Sequence, residues 1–147
     1  MGDFPTPQLD KEIEKLGNTP ALITKLGHHF TGKRLNLKHY NGVVLQEAAL
    51  KAFLMAQRDL ARKGSNKRIL VNSSYRSWTQ QAALYARYKS GISKLPAAPP
   101  GHSYHNIGLA LDIGNWGDKD VRAALTRHGW NWLGTKDVVH YSYKVHG

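Results

Sequence analysis

The sequence predicts the α+β fold class, with a small antiparallel sheet packed against helices. An apolar stripe at helical spacing runs through residues 43–63, and a short apolar run at residues 68–72 is typical of a strand. A Ser-x-x-Gln capping box then begins a second helix at Ser77. These segments do not follow the regular strand–helix–strand order of a parallel sheet, so the α+β class fits better than the α/β class.

The composition favours a single domain over residues 1–147. Hydrophobic residues make up 41% of the 147 positions, which suffices for one core. No apolar run approaches the roughly 18 residues of a membrane span, and the N-terminus lacks the basic and apolar regions of a signal peptide. The absence of cysteine excludes disulfides and thiolate metal sites, so a metal would have to be bound by His, Asp or Glu.

The formal charge of +11 favours polyanionic partners. Nucleic acid, cell-wall polymers and the anionic surface of an outer membrane all meet that description. Good solubility alone is a further explanation, so the charge does not select a partner.

Residues 1–45 match no pattern that indicates a function, and we treat them as an N-terminal extension of unknown role. Two prolines among residues 1–7 predict an extended arm. Apolar residues at helical spacing predict a short helix over residues 8–16, which Gly17 ends.

Two helices and a strand are predicted in the middle of the chain. The first helix spans residues 43–63 and ends at Gly64, and a strand follows at residues 68–72. The second helix spans residues 78–90. We expect its stripe of mainly aromatic residues to pack in the core: Trp78, Ala82, Tyr85 and Tyr88.

The last third of the chain begins with a loop over residues 92–101, whose three prolines exclude a central strand. Asp118 is a predicted N-cap for a helix that runs to His128. Two strands, at residues 130–133 and 138–143, complete the predicted elements.

The stretch over residues 101–112 is the most informative part of the sequence, because it places His105 and Asp112 seven residues apart. In a strand that begins at Gly108, the small and polar residues Gly108, Ala110 and Asp112 share one face, and leucine and isoleucine form the other. A carboxylate on a face of small residues leaves space for a metal ion with a substrate above it.

Three motifs occur in the order Ser74-Tyr75-Arg76-Ser77, Ser103-x-His105-x-x-Gly108-x-Ala110-x-Asp112 and Asp137-Val138-Val139-His140. They resemble the arginine motif, the first metal motif and the closing Asp-x-x-His motif of peptidase family M15. This family includes the VanY- and VanX-type D,D-peptidases and the phage L-alanyl-D-glutamate endolysins. The likeness covers residues 66–145 and implies a Hedgehog/D,D-peptidase-like zinc fold.

The resemblance implies that His105, Asp112 and His140 bind Zn²⁺. Two imidazoles and one carboxylate suit a catalytic zinc ion, which keeps a further position open, although such a set also suits other divalent ions. A hydrolytic site also needs a base. Asp137 occupies the position of the family's catalytic acid/base, where several members have Glu.

The resemblance also implies contacts with substrate. Arg76 would bind a substrate carboxylate or stabilise the developing oxyanion, which makes it a catalytic candidate as well. Ser103 would contact the substrate or support a metal ligand. Tyr104 lies beside His105 in the sequence and would line the rim of the cleft, where it could bind substrate. The alternatives are a surface salt bridge for Arg76 and core or loop packing for Tyr104.

We therefore expect a zinc-dependent peptidoglycan hydrolase that cleaves stem peptides. The stretch over residues 103–112 most resembles the bacteriolytic L-alanyl-D-glutamate endopeptidases of the endolysin type. The alternatives are a D-alanyl-D-alanine carboxypeptidase and a non-catalytic binding module on the same zinc fold.

The expected partner is peptidoglycan, with anionic cell-envelope polymers as further candidates and no nucleic acid. We expect a monomer. Without a signal peptide it would be made in the cytoplasm and act on the cell wall or periplasm after lysis, through a holin or after delivery by a secretion system.

Overall fold

Six strands and four α-helices make up the described part of the chain, which comprises residues 6–30, 32 and 34–144 of a computed structural model. In chain order the elements are α1 (Thr6–Lys15), β1 (Leu37–Tyr40), β2 (Val43–Gln46), α2 (Glu47–Arg62), β3 (Val71–Ser73), α3 (Trp78–Lys89), β4 (Ala110–Ile113), α4 (Lys119–Arg127), β5 (Trp130–Trp132) and β6 (His140–Tyr143). Two 3₁₀ turns lie at Tyr104–Ile107 and Gly134–Lys136. This set of elements confirms the predicted α+β class.

A four-stranded sheet carries two of the predicted metal ligands. Its strand order is β3-β4-β6-β5, and every neighbouring pair is antiparallel. The register of β4 and β6 sets Asp112 opposite His140 and Ala110 opposite Ser142. Side chains of directly paired residues lie on the same face of a sheet, so the carboxylate and the imidazole are neighbours.

Apolar side chains from the helices and the sheet form the core. α2 packs against both α1 and α4. The stripe of α2 is buried as predicted, and its Phe53 is among the largest fully buried side chains, together with Trp130 and Tyr141. In β4, Leu111 and Ile113 are fully buried, whereas Asp112 between them is only partly buried. Leu111 and Ile113 thus form the predicted core face, with Asp112 between them on the other face. The predicted start at Gly108 is wrong: Gly108 ends the 3₁₀ turn with a φ angle of 72°, the strand begins at Ala110, and Ala110 is itself buried.

The N-terminal helix belongs to this core. α1 contributes the buried residues Leu9 and Ile13, and its position agrees with the helix predicted over residues 8–16. Of the arm predicted over residues 1–7, residues 1–5 lie outside the described residues. The assignment of all 147 residues to one domain stays a prediction.

The helix predicted from residue 43 is wrong at its start. Val43–Gln46 form strand β2, which pairs with β1, and α2 begins only at Glu47. Asn41 and Gly42, between the strands, have positive φ angles of 52° and 86°. An Asn-Gly pair with this conformation is typical of a tight hairpin turn, so the signal for the hairpin was present in the sequence.

The strand predicted over residues 68–72 is shifted toward the C-terminus, to Val71–Ser73. Within the apolar run that suggested it, Ile69 is buried but Leu70 is 49% exposed. The run therefore contributes one core residue before the strand rather than a fully buried strand.

The expected core packing of the stripe on α3 is also wrong. Trp78 and Tyr88 are exposed, and the buried residue of this helix is Gln81. The inner side of α3 thus makes polar contacts, which are described below, and its aromatic residues are left at the surface.

The later elements agree with the predictions. Ser77 and Gln80 form the capping box of α3, and Asp118 caps α4 through the N–H groups of Asp120 and Val121. β5 and β6 fall within the predicted segments. Within the described ranges, no helix has both the length and the apolar character that crossing a membrane requires.

Candidate metal centre

His105, Asp112 and His140 converge at one site. His105 lies in the first 3₁₀ turn, Asp112 in β4 and His140 in β6. One donor atom from each residue lies within 4.8 Å of the donor atoms of the other two. The structure thus brings together the full set of predicted metal ligands.

The ring of His105 is oriented by its Nδ1 atom. This residue is 2% exposed, and Nδ1 lies 2.6 Å from the carbonyl oxygen of Ser74. A carbonyl oxygen only accepts hydrogen bonds, so Nδ1 carries the proton. In the neutral imidazole Nε2 then presents a lone pair, and it lies 3.1 Å from Oδ1 of Asp112. A metal-binding histidine typically has such a backbone partner on its other nitrogen.

His140 is oriented by a hydroxyl group. Its Nε2 atom lies 2.7 Å from Oγ of Ser142, and its Nδ1 atom lies 3.7 Å from Oδ1 of Asp112. Ser142 is two residues further along β6 and therefore on the same face of the strand. When the hydroxyl oxygen accepts the proton of Nε2, the lone pair of Nδ1 is available to a metal.

Asp112 is shared between the histidines and an arginine. Oδ1 faces His105 and His140, while Oδ2 accepts a hydrogen bond of 2.8 Å from Nη2 of Arg76. Burial alone would raise the pKa of this carboxyl group. Its contacts with the two histidines, which donate to it when their rings are protonated, and the charge of Arg76 outweigh burial and hold the pKa far below its usual range. Asp112 is therefore an anion at neutral pH.

The distances from the Asp112 oxygen to the two imidazole nitrogens fit a small divalent ion. Metal bonds of about 2.0–2.1 Å in a tetrahedral site place neighbouring donors about 3.3 Å apart. The two imidazole nitrogens lie 3.1 and 3.7 Å from Oδ1 of Asp112. With both imidazoles neutral, two lone pairs and an anionic oxygen face one another, and a cation between them removes that repulsion. This donor set suits Zn²⁺, as predicted.

Arg76 is an oriented cation beside the metal ligands. Nε donates to Oγ of Ser73 at 3.0 Å, Nη1 to Oε1 of Gln81 at 3.2 Å and Nη2 to Asp112. A guanidinium has five N–H groups, so Nη1 and Nη2 each retain one for another acceptor. The side chain is 21% exposed, which excludes the alternative of a simple surface salt bridge.

The turn that carries His105 is held by its own side chains. Oγ of Ser103 accepts from the N–H of His105 at 3.1 Å and caps the turn. The side-chain oxygen of Asn106 accepts from the N–H groups of Gly101 and Ser103, and its amide nitrogen donates to the carbonyl of Arg76 at 3.0 Å. Ser103 thus has a structural task, and its predicted contact with substrate stays a prediction.

The N-terminal extension is connected to the same turn by hydrogen bonds through Gln46 and Gly101. The side chain of Gln46 is 2% exposed and donates to the carbonyl oxygens of Leu22, at 2.8 Å, and Ile107, at 2.7 Å. It also accepts from the N–H of Leu22 at 2.6 Å. The N–H of Gly27 donates to the carbonyl of Gly101 at 3.1 Å. Part of the segment whose role was open therefore supports the metal site.

Tyr104 and Asp137 are exposed residues that neighbour the ligands in sequence. Tyr104 directly precedes His105 and is 49% exposed. Asp137 follows the second 3₁₀ turn, and its carbonyl accepts a hydrogen bond of 3.0 Å from the N–H of His140. The role of Asp137 in catalysis and that of Tyr104 in substrate binding stay predictions.

Sequence reasoning missed the side chains and carbonyls that position the ligands. These residues are Ser74, Gln81, Asn106, Ser142 and Gln46. The strand parity that places Ser142 on the face of His140 was a usable signal. Nothing in the sequence indicates that Gln46 contacts a turn so distant along the chain.

The chain is similar to known proteins that are described as D-alanyl-D-alanine carboxypeptidases. A model of the VanY family, described as D-alanyl-D-alanine carboxypeptidase, matches residues 42–145. A D-alanyl-D-alanine carboxypeptidase of Enterococcus faecium is 38% identical over 63 residues, which are 43% of this chain and 20% of that protein. The chain thus aligns with about a fifth of the length of this curated relative.

Two solved structures share the fold. The D,D-dipeptidase VanXYg, in complex with a D-Ala-D-Ala phosphinate analogue, has a TM-score of 0.61 at 20% identity, covering 90% of this chain and 64% of that one. A VanY D,D-pentapeptidase mutant from a VanB-type resistance cassette, in complex with Zn(II), has a TM-score of 0.57 at 19% identity, covering 87% and 85%. These likenesses confirm the predicted D,D-peptidase-like fold, and the bound Zn(II) agrees with the predicted zinc site.

Proposed function

Because the chain belongs to the VanY family of D-alanyl-D-alanine carboxypeptidases, we propose that it is a zinc peptidase that releases the terminal D-alanine of peptidoglycan stem peptides. The cluster of His105, Asp112 and His140, inside the matched residues 42–145, carries the proposal. The endolysin-type L-alanyl-D-glutamate endopeptidase, our main expectation from the sequence, finds no support among these relatives. They favour the alternative, the carboxypeptidase.

The three ligands would hold the ion with their Nε2, Oδ1 and Nδ1 atoms. Zinc, when bound, supplies a Lewis acid for carbonyl polarisation and water activation. The chain's contribution is orientation: the Ser74 carbonyl and the Ser142 hydroxyl set the direction of the two imidazole rings. An anionic Asp112 completes a donor set that needs no proton loss from the carboxylate at neutral pH.

Asp137 is the proposed general base. Its exposed carboxylate lies on the chain segment that enters β6, three residues before His140. In this role it takes a proton from the attacking water and passes it to the nitrogen of the departing D-alanine. The hydrogen bond that the His140 N–H donates to the Asp137 carbonyl connects the backbone of the proposed base to that of the ligand.

Arg76 is the proposed anchor for the substrate. A carboxypeptidase substrate ends in a free carboxylate, and the two remaining N–H groups on Nη1 and Nη2 can donate to such an anion. The hydrogen bonds of Arg76 to Ser73 and Gln81 hold the guanidinium in place before substrate arrives. Lysine has the charge but not this fixed fork, so Arg76→Lys is expected to lower kcat/KM by about 100-fold while zinc stays bound.

The test is digestion of a synthetic stem pentapeptide and of purified peptidoglycan, with mass analysis of the products. Wild type and the control Asp120→Asn, an exposed aspartate on α4, are expected to release D-alanine. Asp137→Asn should lose at least about 100-fold in rate, and a chelator should abolish release.

The other candidate functions predict different products. New amino groups on D-glutamate would establish the endopeptidase instead. Zinc binding without release of either product would establish the non-catalytic binding module. Salt-sensitive DNA binding without hydrolysis would instead establish nucleic acid as the partner of this basic chain, against our expectation.

A further inference from the structure

Four large apolar side chains follow one another along α3 and the turn after it, and all four are exposed. They are Leu84 at 39%, Tyr88 at 38%, Ile92 at 70% and Leu95 at 78%. Leu84 and Tyr88 are four residues apart and therefore neighbours on the helix surface. Isolated exposed leucines are ordinary, but a consecutive series of this kind marks a surface that contacts another body.

The turn after α3 has a defined shape. The N–H of Gly91 donates to the carbonyl of Tyr88 at 3.1 Å, and the N–H of Ser93 donates to the carbonyl of Arg87 at 3.0 Å. Oγ of Ser93 then accepts from the N–H of Leu95 at 3.2 Å. Because these bonds return the chain to the end of the helix, the segment that carries Ile92 and Leu95 stays close to the last turn of α3.

The charged residues in the sequence around this surface have one sign. Residues 60–111 contain eight Lys and Arg residues and no Asp or Glu. Arg87 and Lys94 are exposed beside the four apolar residues. The negative end of the helix dipole accounts for a cation such as Arg87 in the last turn of α3, but Lys94 lies beyond the helix. The positive charge of this surface therefore extends beyond the part that the helix dipole explains.

We propose that this surface, the α3 face (Leu84, Arg87, Tyr88, Ile92, Lys94 and Leu95), binds a bilayer that contains anionic phospholipid. Exposed leucine and isoleucine can enter the interface, a tyrosine ring suits the headgroup level, and cations pair with lipid phosphates. A soluble polyanion would contact only the cations of the α3 face, and an uncharged protein would contact only the apolar residues of that face. An anionic bilayer can contact both.

The α3 face shares its helix with the candidate site. On the inner side of α3, Gln81 accepts from Arg76 and donates to the carbonyl of Ala98 at 2.9 Å. A bilayer bound at the outer side of α3 would therefore hold the metal centre near the membrane surface. This inference concerns location and does not depend on which bond the enzyme cleaves.

The test is co-sedimentation of the zinc-loaded protein with vesicles of phosphatidylcholine alone or of phosphatidylglycerol and phosphatidylcholine in a one-to-two ratio. Wild type is expected to bind the anionic vesicles, less so at high salt, and not the neutral ones. Ile92→Ser/Leu95→Ser should weaken binding by at least about tenfold, because two apolar side chains no longer leave water. Arg87→Gln/Lys94→Gln should weaken it by about fivefold per charge.

Leu133→Ser is the matched control, since Leu133 is 50% exposed and lies outside the α3 face. It should bind vesicles like wild type, and all variants should melt at the same temperature. Three results would overturn the proposal: no binding by wild type, equal binding by the Ile92→Ser/Leu95→Ser variant, or a dimer in sedimentation velocity that this variant dissociates. The second result would indicate adsorption by charge alone, and the third a second copy as occupant.

Discussion

The side chain of Gln46 donates a hydrogen bond of 2.7 Å to the carbonyl oxygen of Ile107, 61 residues further along the chain. Ile107 ends the 3₁₀ turn in which His105 lies. The same amide group of Gln46 holds both backbone polar groups of Leu22. One buried side chain therefore connects the N-terminal segment to the turn that carries a metal ligand.

Gln46→Leu is expected to weaken zinc binding as well as stability. The substitution removes the partner of the Ile107 carbonyl, whose hydrogen bond is buried, and of both backbone groups of Leu22, whose hydrogen bonds are partly buried. The cost is about 1–3 kcal/mol for a group that water cannot reach, which applies foremost to the carbonyl of Ile107. It also releases the turn of His105, so zinc affinity should fall by about tenfold. Urea unfolding of the metal-free protein and a competition titration with a chelator measure the two effects separately.

Gln57→Leu is the matched control for this prediction. Gln57 is 3% exposed and pairs with the carbonyl of Lys67 and the N–H of Ile69, away from the metal ligands. It should destabilise the fold while zinc affinity stays unchanged. Equal losses of zinc affinity in both variants would show that Gln46 acts only through global stability.

Ser142→Ala is expected to lower zinc affinity by about tenfold without a measurable change in the stability of the metal-free protein. The hydroxyl orients His140 through its Nε2 atom and is only partly buried. Without it, the ring can turn or adopt the other tautomer, which costs binding energy. A chelator titration with the control Ser73→Ala, which alters the support of Arg76 rather than of a ligand, distinguishes the two kinds of contact. Unchanged zinc affinity in Ser142→Ala would show that this hydroxyl does not orient His140 for the metal.

The predictable part of the site is the part that depends on residues close together in the sequence. The ligands His105 and Asp112 share one strand-and-turn motif, and His140 shares a short motif with Asp137, so local sequence patterns identify them. The contact between Gln46 and Ile107 depends on how distant segments pack, which no local pattern records. The aromatic residues of α3 were misplaced for a related reason: helical spacing shows which residues share a face, but not whether that face meets the core.

Gly101→Ala is expected to destabilise the protein far more than Gly42→Ala. Both glycines have a φ angle in the left-handed region, 84° and 86°, so both substitutions carry a similar backbone cost of about 1 kcal/mol. A Cβ atom at Gly42 would meet nothing within 4 Å, whereas one at Gly101 would overlap the carbonyl oxygen of Gly27. The overlap should add about 1–3 kcal/mol. Denaturant unfolding of the pair isolates this steric term, and equal losses would contradict the close approach of the N-terminal segment.

Asp59→Asn is expected to reduce the loss of stability in acid. Burial tends to raise the pKa of Asp59, but hydrogen bonds from His128, at 2.6 Å, and Arg127, at 3.0 Å, bring it below its ordinary value. A carboxyl group with a lowered pKa in the folded state contributes stability above its unfolded pKa of about 3.9, and this contribution is lost as the pH falls through the folded pKa.

Urea unfolding at a series of pH values checks this sign. In the acid range below about pH 4, the stability advantage of wild type over Asp59→Asn should shrink as the pH falls. The control Asp120→Asn alters an exposed aspartate on α4 that pairs with Lys67 instead. An advantage of wild type that grows as the pH falls would contradict the assigned direction.

In the proposed site, Asp112 would link the ion to the substrate because its two oxygens belong to one delocalised carboxylate. Electron density drawn toward a cation at Oδ1 is withdrawn from the hydrogen bond that Oδ2 accepts from Arg76. A bound cation should therefore weaken the hydrogen bond to Arg76 and raise the affinity of the guanidinium for an incoming anion. By thermodynamic linkage, an anion bound to Arg76 must then raise the affinity of the site for the cation by the same factor. The cation and the anion would thus bind cooperatively through a single side chain.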